Sequence, residues 1–266
     1  MNSPSTASTA TLAEHAYRIR RNALLMGEVQ GQGYIGQALD IADVLSVAYF
    51  GAMRYRPEDP EWEGRDRFLL SNGHYAIALY AALLEAGILP AEELETYGSD
   101  DSRLPMSGMA SYTPGMEMSG GSLGQGLTIA VGRCLGLKRK GSDAFVYTLF
   151  SDGELDEGAI WEGLMSAAHW KLDNLIAMVD VNNQQADGPS SQIMAFRAAR
   201  REARSVRLVH AACRRQRHQC REGGLRCRAQ SSEAAATDYR VRYPHGLRRA
   251  VPRRTGKEPF HPRRCP

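Results

Sequence analysis

The chain lacks an apolar run long enough to cross a membrane, and its Ser- and Thr-rich start lacks the basic and apolar regions of a signal peptide. We therefore expect a cytoplasmic protein with no membrane partner. Its 266 residues are enough for one sizeable domain with its own hydrophobic core.

Basic residues are scarce in the first part of the chain, and acidic residues are scarce in the rest. Residues 1–196 contain 13 Lys and Arg against 25 Asp and Glu, a net charge of −12. Residues 197–266 contain 20 Lys and Arg against 5 Asp and Glu, a net charge of +15. The overall charge of +3 is therefore the sum of an acidic part and a basic part. The composition predicts a domain over residues 1–196 and a separate Arg-rich tail over residues 197–266.

Two short apolar runs, residues 144–150 and 175–181, are typical of strands buried on both faces of a parallel sheet. The segment between them, residues 157–171, has apolar residues at helical spacing. This strand–helix–strand pattern predicts the α/β class, with a parallel sheet flanked by helices. Further helices are predicted at residues 12–27, 41–50, 75–86, 92–97 and 123–137.

Polar residues follow both predicted strands, where open α/β sheets bind ligands. Asp152 and Asn182 could give Mg²⁺ two oxygen ligands, and the backbone carbonyl of Gln184 could give a third. Gly153 has no side chain, so a diphosphate oxygen could reach its N–H. Alternatively, Asp152-Gly153 and Asn182-Asn183 are only turns that end the two strands. The combination favours a magnesium-diphosphate site.

Four motifs in this order resemble the transketolase family of thiamine diphosphate enzymes. They are Arg65-Asp-Arg-Phe-Leu-Leu-Ser-Asn-Gly-His74, Pro114-Gly-Met-Glu-Met-Ser-Gly-Gly-Ser-Leu-Gly-Gln-Gly126, Ser151-Asp-Gly and Asn182. The family has Gly-Asp-Gly where this chain has Ser151. The resemblance covers about residues 12 to 196 and is greatest to the N-terminal subunit of bacterial two-subunit transketolases.

The resemblance implies roles for residues in the first two motifs. His74 would contact the cofactor diphosphate or the reacting carbon, and Gly121, Ser122 and Leu123 would line the aminopyrimidine and thiazolium rings. Without the family, His74 could be an exposed loop histidine. The glycine-rich segment could be a flexible loop, or its amides could bind an anion at a helix start.

The resemblance also implies that Asp152, Asn182 and the Gln184 carbonyl hold magnesium, with Gly153 beside the diphosphate. Glu157 would lie near the subunit contact in a proton relay between two sites. By itself, Glu157 reads as a solvated carboxylate in the first turn of a helix.

The implied activity is two-carbon ketol transfer between sugar phosphates. The family's glutamate that activates the cofactor lies in a pyrimidine-binding domain that this chain lacks. We therefore expect a C-terminal subunit as partner, in a heterotetramer. A decarboxylase or dehydrogenase E1-like subunit is the alternative, although the motifs ending at His74 and Gly126 argue against it. Two family histidines that bind sugar phosphate are absent, from Gly33-Tyr34-Ile35-Gly36 and from Met106-Ser-Gly-Met109, which puts the sugar substrate in doubt.

The tail has three interpretations. Its arginines could bind nucleic acid, and its cysteines and histidines could bind zinc, although Cys213-x6-Cys220-x6-Cys227 is not a finger spacing. We favour a third, in which a single-base shift near Phe196–Arg197 put the rest out of frame. Read from the second codon base, the tail permits family-like strings, and GC-rich codons so read give excess arginine. Such a tail should not fold, would bind no nucleic acid and could leave the product inactive.

Overall fold

The computed structural model describes residues 9–194, which form a three-stranded parallel sheet between two groups of helices. The strands lie in the order β1 (Arg67–Leu70), β2 (Val146–Ser151) and β3 (Leu175–Asp180). The helices are α1 (Thr9–Gln30), α2 (Ile35–Val47), α3 (Ala76–Glu85), α4 (Gln125–Arg139), α5 (Gly158–His169) and α6 (Ser190–Ile193). Shorter helical turns cover Ala48–Ala52, Gly73–Tyr75, Ala91–Thr96 and Gly153–Asp156. The predicted α/β class is confirmed.

The register of the sheet brings the ends of its strands level. Leu149 of β2 pairs with Leu70 of β1 on one side and with Met178 of β3 on the other. The last pair of the β2–β3 ladder is Ser151 with Asp180. Because the strands are parallel, the segments that follow them all leave the sheet at the same edge.

Side chains alternate between the two faces of the sheet, as the pleat requires. Leu70, Leu149 and Met178 face a large core that they share with α1, α2 and α3. Leu69 and Val146 face the opposite side, where they pack with α4. Asp152 and Asn182, the residues predicted to bind a ligand, therefore lie at the end of a sheet that packs against helices on both faces.

Most predicted elements are present, but β1 was not predicted. The helices predicted at residues 12–27, 75–86 and 123–137 correspond to α1, α3 and α4, and the segment at residues 92–97 is the turn Ala91–Thr96. The helix predicted at residues 41–50 begins earlier, at Ile35. β1 has only three apolar residues after Arg67, which is too short a run to predict a strand from periodicity.

The prediction that residues 175–181 are buried on both faces is wrong for the described part of the chain. β3 is partly exposed along most of its length, and Val179 is 37% exposed. Within residues 9–194, β3 is the last strand of the sheet, so its outer edge has no neighbour to cover it.

The expectation that no stretch reaches transmembrane length also needs correction. The helical stretch Ile35–Ala52 is long and apolar enough to span a membrane by length and composition. Ile41 and Leu45 on this stretch are buried and belong to the core shared by α1, α2 and α3. Core helices pass the same test, so the stretch is weak evidence for a membrane segment.

Candidate functional site

Asp152 lies at the carboxyl end of β2, where its carboxylate is 1% exposed. Its backbone N–H donates to the Asp180 carbonyl at 2.9 Å, which continues the β2–β3 ladder by one step. Its Oδ2 accepts hydrogen bonds from the Asn183 N–H at 3.0 Å and the Ser190 hydroxyl at 2.9 Å. The loop after β3 is thereby held against Asp152, which brings the predicted ligand residues to one place.

The second carboxylate oxygen of Asp152, Oδ1, is buried and has no hydrogen-bond partner in the part of the chain that the structure describes. Burial raises the pKa of the Asp152 carboxyl, and the hydrogen bonds from Ser190 and Asn183 lower it. Burying a carboxylate oxygen without a hydrogen-bond partner costs free energy. Buried carboxylates in proteins therefore usually accept hydrogen bonds or bind a metal.

Asn182 is held by two side chains on its amide nitrogen. Its Nδ2 donates to the Tyr75 hydroxyl at 3.1 Å and to Asp180 Oδ2 at 3.0 Å, and the Tyr75 hydroxyl donates to the same Asp180 oxygen at 3.2 Å. The Asn182 Oδ1 accepts from the Gln184 N–H at 2.9 Å and retains a second lone pair. The amide orientation is thus fixed by Tyr75 and Asp180, two residues that sequence reasoning missed.

His74 lies in the turn between β1 and α3 and is half-buried, so it is not an exposed loop histidine. Its ring is flanked edge-on by Tyr34, at 4.8 Å between centroids, and by Tyr75, at 4.7 Å. Burial lowers the pKa of His74, which favours the neutral imidazole. Tyr75 follows His74 in the chain and also binds Asn182, so His74 is tied to the loop after β3.

The glycine-rich segment packs directly against the β1–α3 turn. A Cβ atom placed on Gly120 would lie 2.1 Å from the Gly73 Cα, so the two backbones touch. A Cβ atom on Gly126 would lie 2.4 Å from the Ser71 Cβ. Gly121 has a φ of +145° and free space around it. These contacts place Gly121 next to the turn that carries His74.

Gly121, Ser122 and Leu123 are all exposed, and Leu123 is 39% exposed. An exposed Leu123 beside a run of backbone amides offers an apolar and a polar surface together, which is the composition of ligand sites. At Gly153 a Cβ atom would lie in ordinary contact with the Gln185 side chain, 3.5 Å from its Cγ, so the residue is covered by a flexible side chain and not by backbone.

Glu154 is the main residue of this region that sequence reasoning missed. It is fully buried, and its Oε1 accepts from the Ser71 hydroxyl and from the Gly124 N–H at 2.9 Å. Its Oε2 accepts from the Ser151 N–H at 2.9 Å. The anion at the start of α4 is therefore an internal carboxylate, and the only sequence signal for it is its position two residues after Asp152.

Glu157 is exposed and precedes α5, without a side-chain hydrogen bond to the helix start. It also lies beside the glycine-rich segment, because a Cβ atom on Gly124 would meet the Glu157 Cβ at 2.8 Å. Gln184 is exposed and donates its N–H to Asn182.

The structure thus gathers Asp152, Asn182 and Gln184 around one strand end. Tyr75 joins His74 to this group, and Glu154 joins the segment of Gly121. The part of the chain that the structure describes contains no group of three His, Cys, Asp or Glu residues suited to a metal. The Asp180 carboxylate also lies in this group, where it accepts from Asn182 and Tyr75. The individual ligand roles of Asp152, Asn182 and Gln184 stay predictions.

Comparison with known proteins agrees with the motifs. The family model described as "Transketolase, thiamine diphosphate binding domain" matches residues 13–218. An uncharacterized transketolase family protein of Sinorhizobium fredii is 75% identical over 186 residues, which cover 70% of this chain and 67% of that protein. A 6-deoxy-6-sulfo-D-fructose transketolase subunit of a Clostridium species is 43% identical over 163 residues, 61% of this chain and 59% of the relative.

The solved structure of transketolase from Leishmania mexicana aligns with a TM-score of 0.69 at 31% identity. The alignment covers 76% of this chain but only 31% of that one. The chain therefore spans about three fifths to two thirds of the two relatives above, and less than a third of this transketolase. The chain belongs to the transketolase family, and its matched part is the thiamine diphosphate-binding domain of that family.

Proposed function

We propose that this chain binds thiamine diphosphate through a magnesium ion at the ends of β2 and β3. It would act with a separate C-terminal subunit in two-carbon ketol transfer between sugar phosphates. The observation that carries the proposal is the buried Oδ1 of Asp152, which has no hydrogen-bond partner among residues 9–194.

The residues present fit a magnesium ion that also binds a diphosphate. Magnesium usually takes one or two protein carboxylates and completes its shell with phosphate oxygens and water. Asp152 supplies one such carboxylate, held in position by Asn183 and Ser190. Asn182 would supply its amide oxygen, and the carbonyl of Gln184 would follow as a third ligand.

The other residues of the site would orient the cofactor and exclude water from it. Gly153 would approach a diphosphate oxygen with its backbone once the Gln185 side chain moves aside, and the exposed segment Gly121–Leu123 would contact the rings. His74, kept neutral by its burial, can accept or donate one proton close to the reacting atoms. When bound, thiamine diphosphate supplies the electron sink that carbon–carbon cleavage requires.

The site is tested by calorimetric titration of thiamine diphosphate with and without Mg²⁺. We expect the frame-corrected chain, together with its C-terminal subunit, to bind the cofactor only when Mg²⁺ is present. Asp152→Ala should abolish this binding, whereas Glu162→Ala, a change at an exposed position on α5, should not affect it. Unchanged affinity in Asp152→Ala would contradict the role of Asp152.

A separate partner subunit is supported by the Clostridium relative, which is named as a transketolase subunit. We also propose that the sugar substrate differs from that of the family in general, because the two segments that lack the family histidines both lie at this site. Tyr34 packs on His74, and Gly108 of the second segment bonds both Gly73 and Gly120. Donor and acceptor sugars are compared by assaying ketol transfer with a panel of sugar phosphates.

We also propose that the natural gene continues in a neighbouring frame from about Arg197, and that the protein acts in the cytoplasm. The tail over residues 197–266 lies outside the described residues. The opposite charges of the two parts of the sequence support a change of frame. Sequencing the gene across codons 190–266 tests this: an early stop, or no family-like product in the neighbouring frame, would overturn it.

A further inference from the structure

Glu154 connects three separate segments of the chain. Its Oε1 binds Ser71 after β1 and Gly124 before α4, and its Oε2 binds Ser151 at the end of β2. Ser71 also accepts the Gly126 N–H at 3.1 Å, which extends the connection into the first turn of α4. The three groups that donate to Glu154 are a neutral hydroxyl and two backbone N–H groups.

The Glu154 carboxylate is stabilised by its position at the start of α4. A helix start presents free N–H groups and a partial positive charge, and α4 is long enough, at 15 residues, for that charge to count. Glu154 is fully buried, so water does not compete for these bonds. Loss of one acceptor would leave a buried donor unpaired, which is more costly than a lost surface bond.

We propose that Glu154 is a positioning residue that holds the glycine-rich segment and Asp152 in a single arrangement for cofactor binding. Only Gly153 separates it from Asp152, and Gly124 follows Leu123 directly, so one side chain sets the distance between the predicted magnesium ligand Asp152 and the segment Gly121–Leu123. This inference rests on the proposed function, because it assigns the alignment of that same site to Glu154.

The first test is hydrogen exchange of the full chain without cofactor, followed by mass spectrometry. Glu154→Gln keeps the side-chain volume but places an amide N–H against one of the donors. We expect exchange at residues 120–126 and 151–153 to rise tenfold or more, with α1 unchanged. Unchanged exchange at both segments would overturn the proposal, whether or not the cofactor binds.

The second test is the affinity for thiamine diphosphate with Mg²⁺, measured by calorimetry below the unfolding temperature of every variant. Glu154→Gln should weaken binding at least tenfold, and Ser71→Ala, which removes one hydroxyl, should weaken it about threefold. Glu162→Gln is the surface control. Ile19→Ala, a buried change on the other side of the sheet, controls for lost stability and should leave the affinity unchanged.

The outcomes separate the two proposals. If the frame-corrected chain without substitutions does not bind the cofactor in the presence of its partner, the proposed function fails, and the exchange data still decide the role of Glu154. If it binds and Glu154→Gln binds equally well, the positioning role is wrong. If Glu154→Gln does not fold, Ser71→Ala decides alone: normal exchange at residues 120–126 would then overturn the role.

Discussion

Single residues at the end of the sheet keep polar groups in places that cost stability without a ligand. Asp152 is buried with one oxygen unpaired, and burial raises the pKa of its carboxyl. A folded-state pKa above the unfolded value means that the charged form opposes folding at neutral pH. Such a site favours binding at the expense of the stability of the free chain.

Asp152→Asn is therefore expected to stabilise the free chain while it removes the carboxylate that would bind Mg²⁺. The amide oxygen can still accept from Asn183 and Ser190, and the buried charge is gone. We expect a gain of about 1 kcal/mol in the free energy of unfolding, measured by urea denaturation. Ser190→Ala, which removes one hydrogen bond to the carboxylate, should have the opposite sign. A less stable Asp152→Asn variant would contradict this reasoning.

His74 predicts a pH dependence of the opposite kind. Burial lowers its pKa in the folded state, so below about pH 6.5 the unfolded chain takes up the proton first. This histidine therefore contributes a loss of stability as the pH falls from about 6.5 through its folded-state pKa. His74→Gln should make the fall shallower in urea denaturation at pH 7.5, 6.5 and 5.5. His169→Gln, at the exposed end of α5, is the control, and equal slopes for His74→Gln and the unaltered chain would refute the prediction.

At the scale of the elements, close backbone contact fixes the glycine-rich segment against the β1–α3 turn. Gly120 and Gly73 leave no space for a side chain on either backbone. Gly136, in the middle of α4, has nothing within 4 Å of a Cβ atom and a helical conformation. A side chain is therefore excluded at Gly120 and accommodated at Gly136.

Gly120→Ala should destabilise the chain by about 3 kcal/mol or more, because backbone atoms cannot move aside as flexible side chains do. Gly136→Ala is the matched control and should stabilise the chain by roughly 0.5–1 kcal/mol, since alanine is the better helix former. Urea denaturation measures both. Equal effects of the two substitutions would show that the contact between Gly120 and Gly73 is not rigid.

The elements also show which features the sequence could predict. The apolar runs before Asp152 and Asn182 predicted two parallel strands and put both residues at one edge, because short apolar runs joined by a helical pattern are typical of a parallel sheet. β1 escaped prediction because it holds only four residues. Glu154 and Tyr75 escaped it because their roles depend on partners 83 and 107 residues away, which no local pattern reveals.

At the scale of the whole molecule, the described residues provide one side of a binding surface. The segment Gly121–Leu123 and Glu157 are exposed, although they lie beside the buried residues of the site. The chain also spans only 31% of the transketolase from Leishmania mexicana. The exposure of these residues fits the proposed site, which a second polypeptide would complete.

The chain alone is therefore expected to show no ketol transfer between a ketose phosphate and an aldose phosphate. A frame-corrected chain mixed with a separate C-terminal transketolase subunit should show it, with a rate that depends on added thiamine diphosphate and Mg²⁺. Coupled spectrophotometric detection of the product aldose measures the rate. Activity in the chain alone would contradict the need for a partner.

The contact between Gly73 and Gly120 has a consequence for how such a site can diversify. Neither Gly73 nor Gly120 can carry a side chain without a shift of the backbone, so neither position beside His74 can be substituted in a single step. Tyr34, which packs edge-on against His74, is 51% exposed, so its side chain has room to change. A new side chain beside His74 is therefore open at Tyr34 and closed at Gly73 and Gly120, and new substrate preferences would arise at Tyr34.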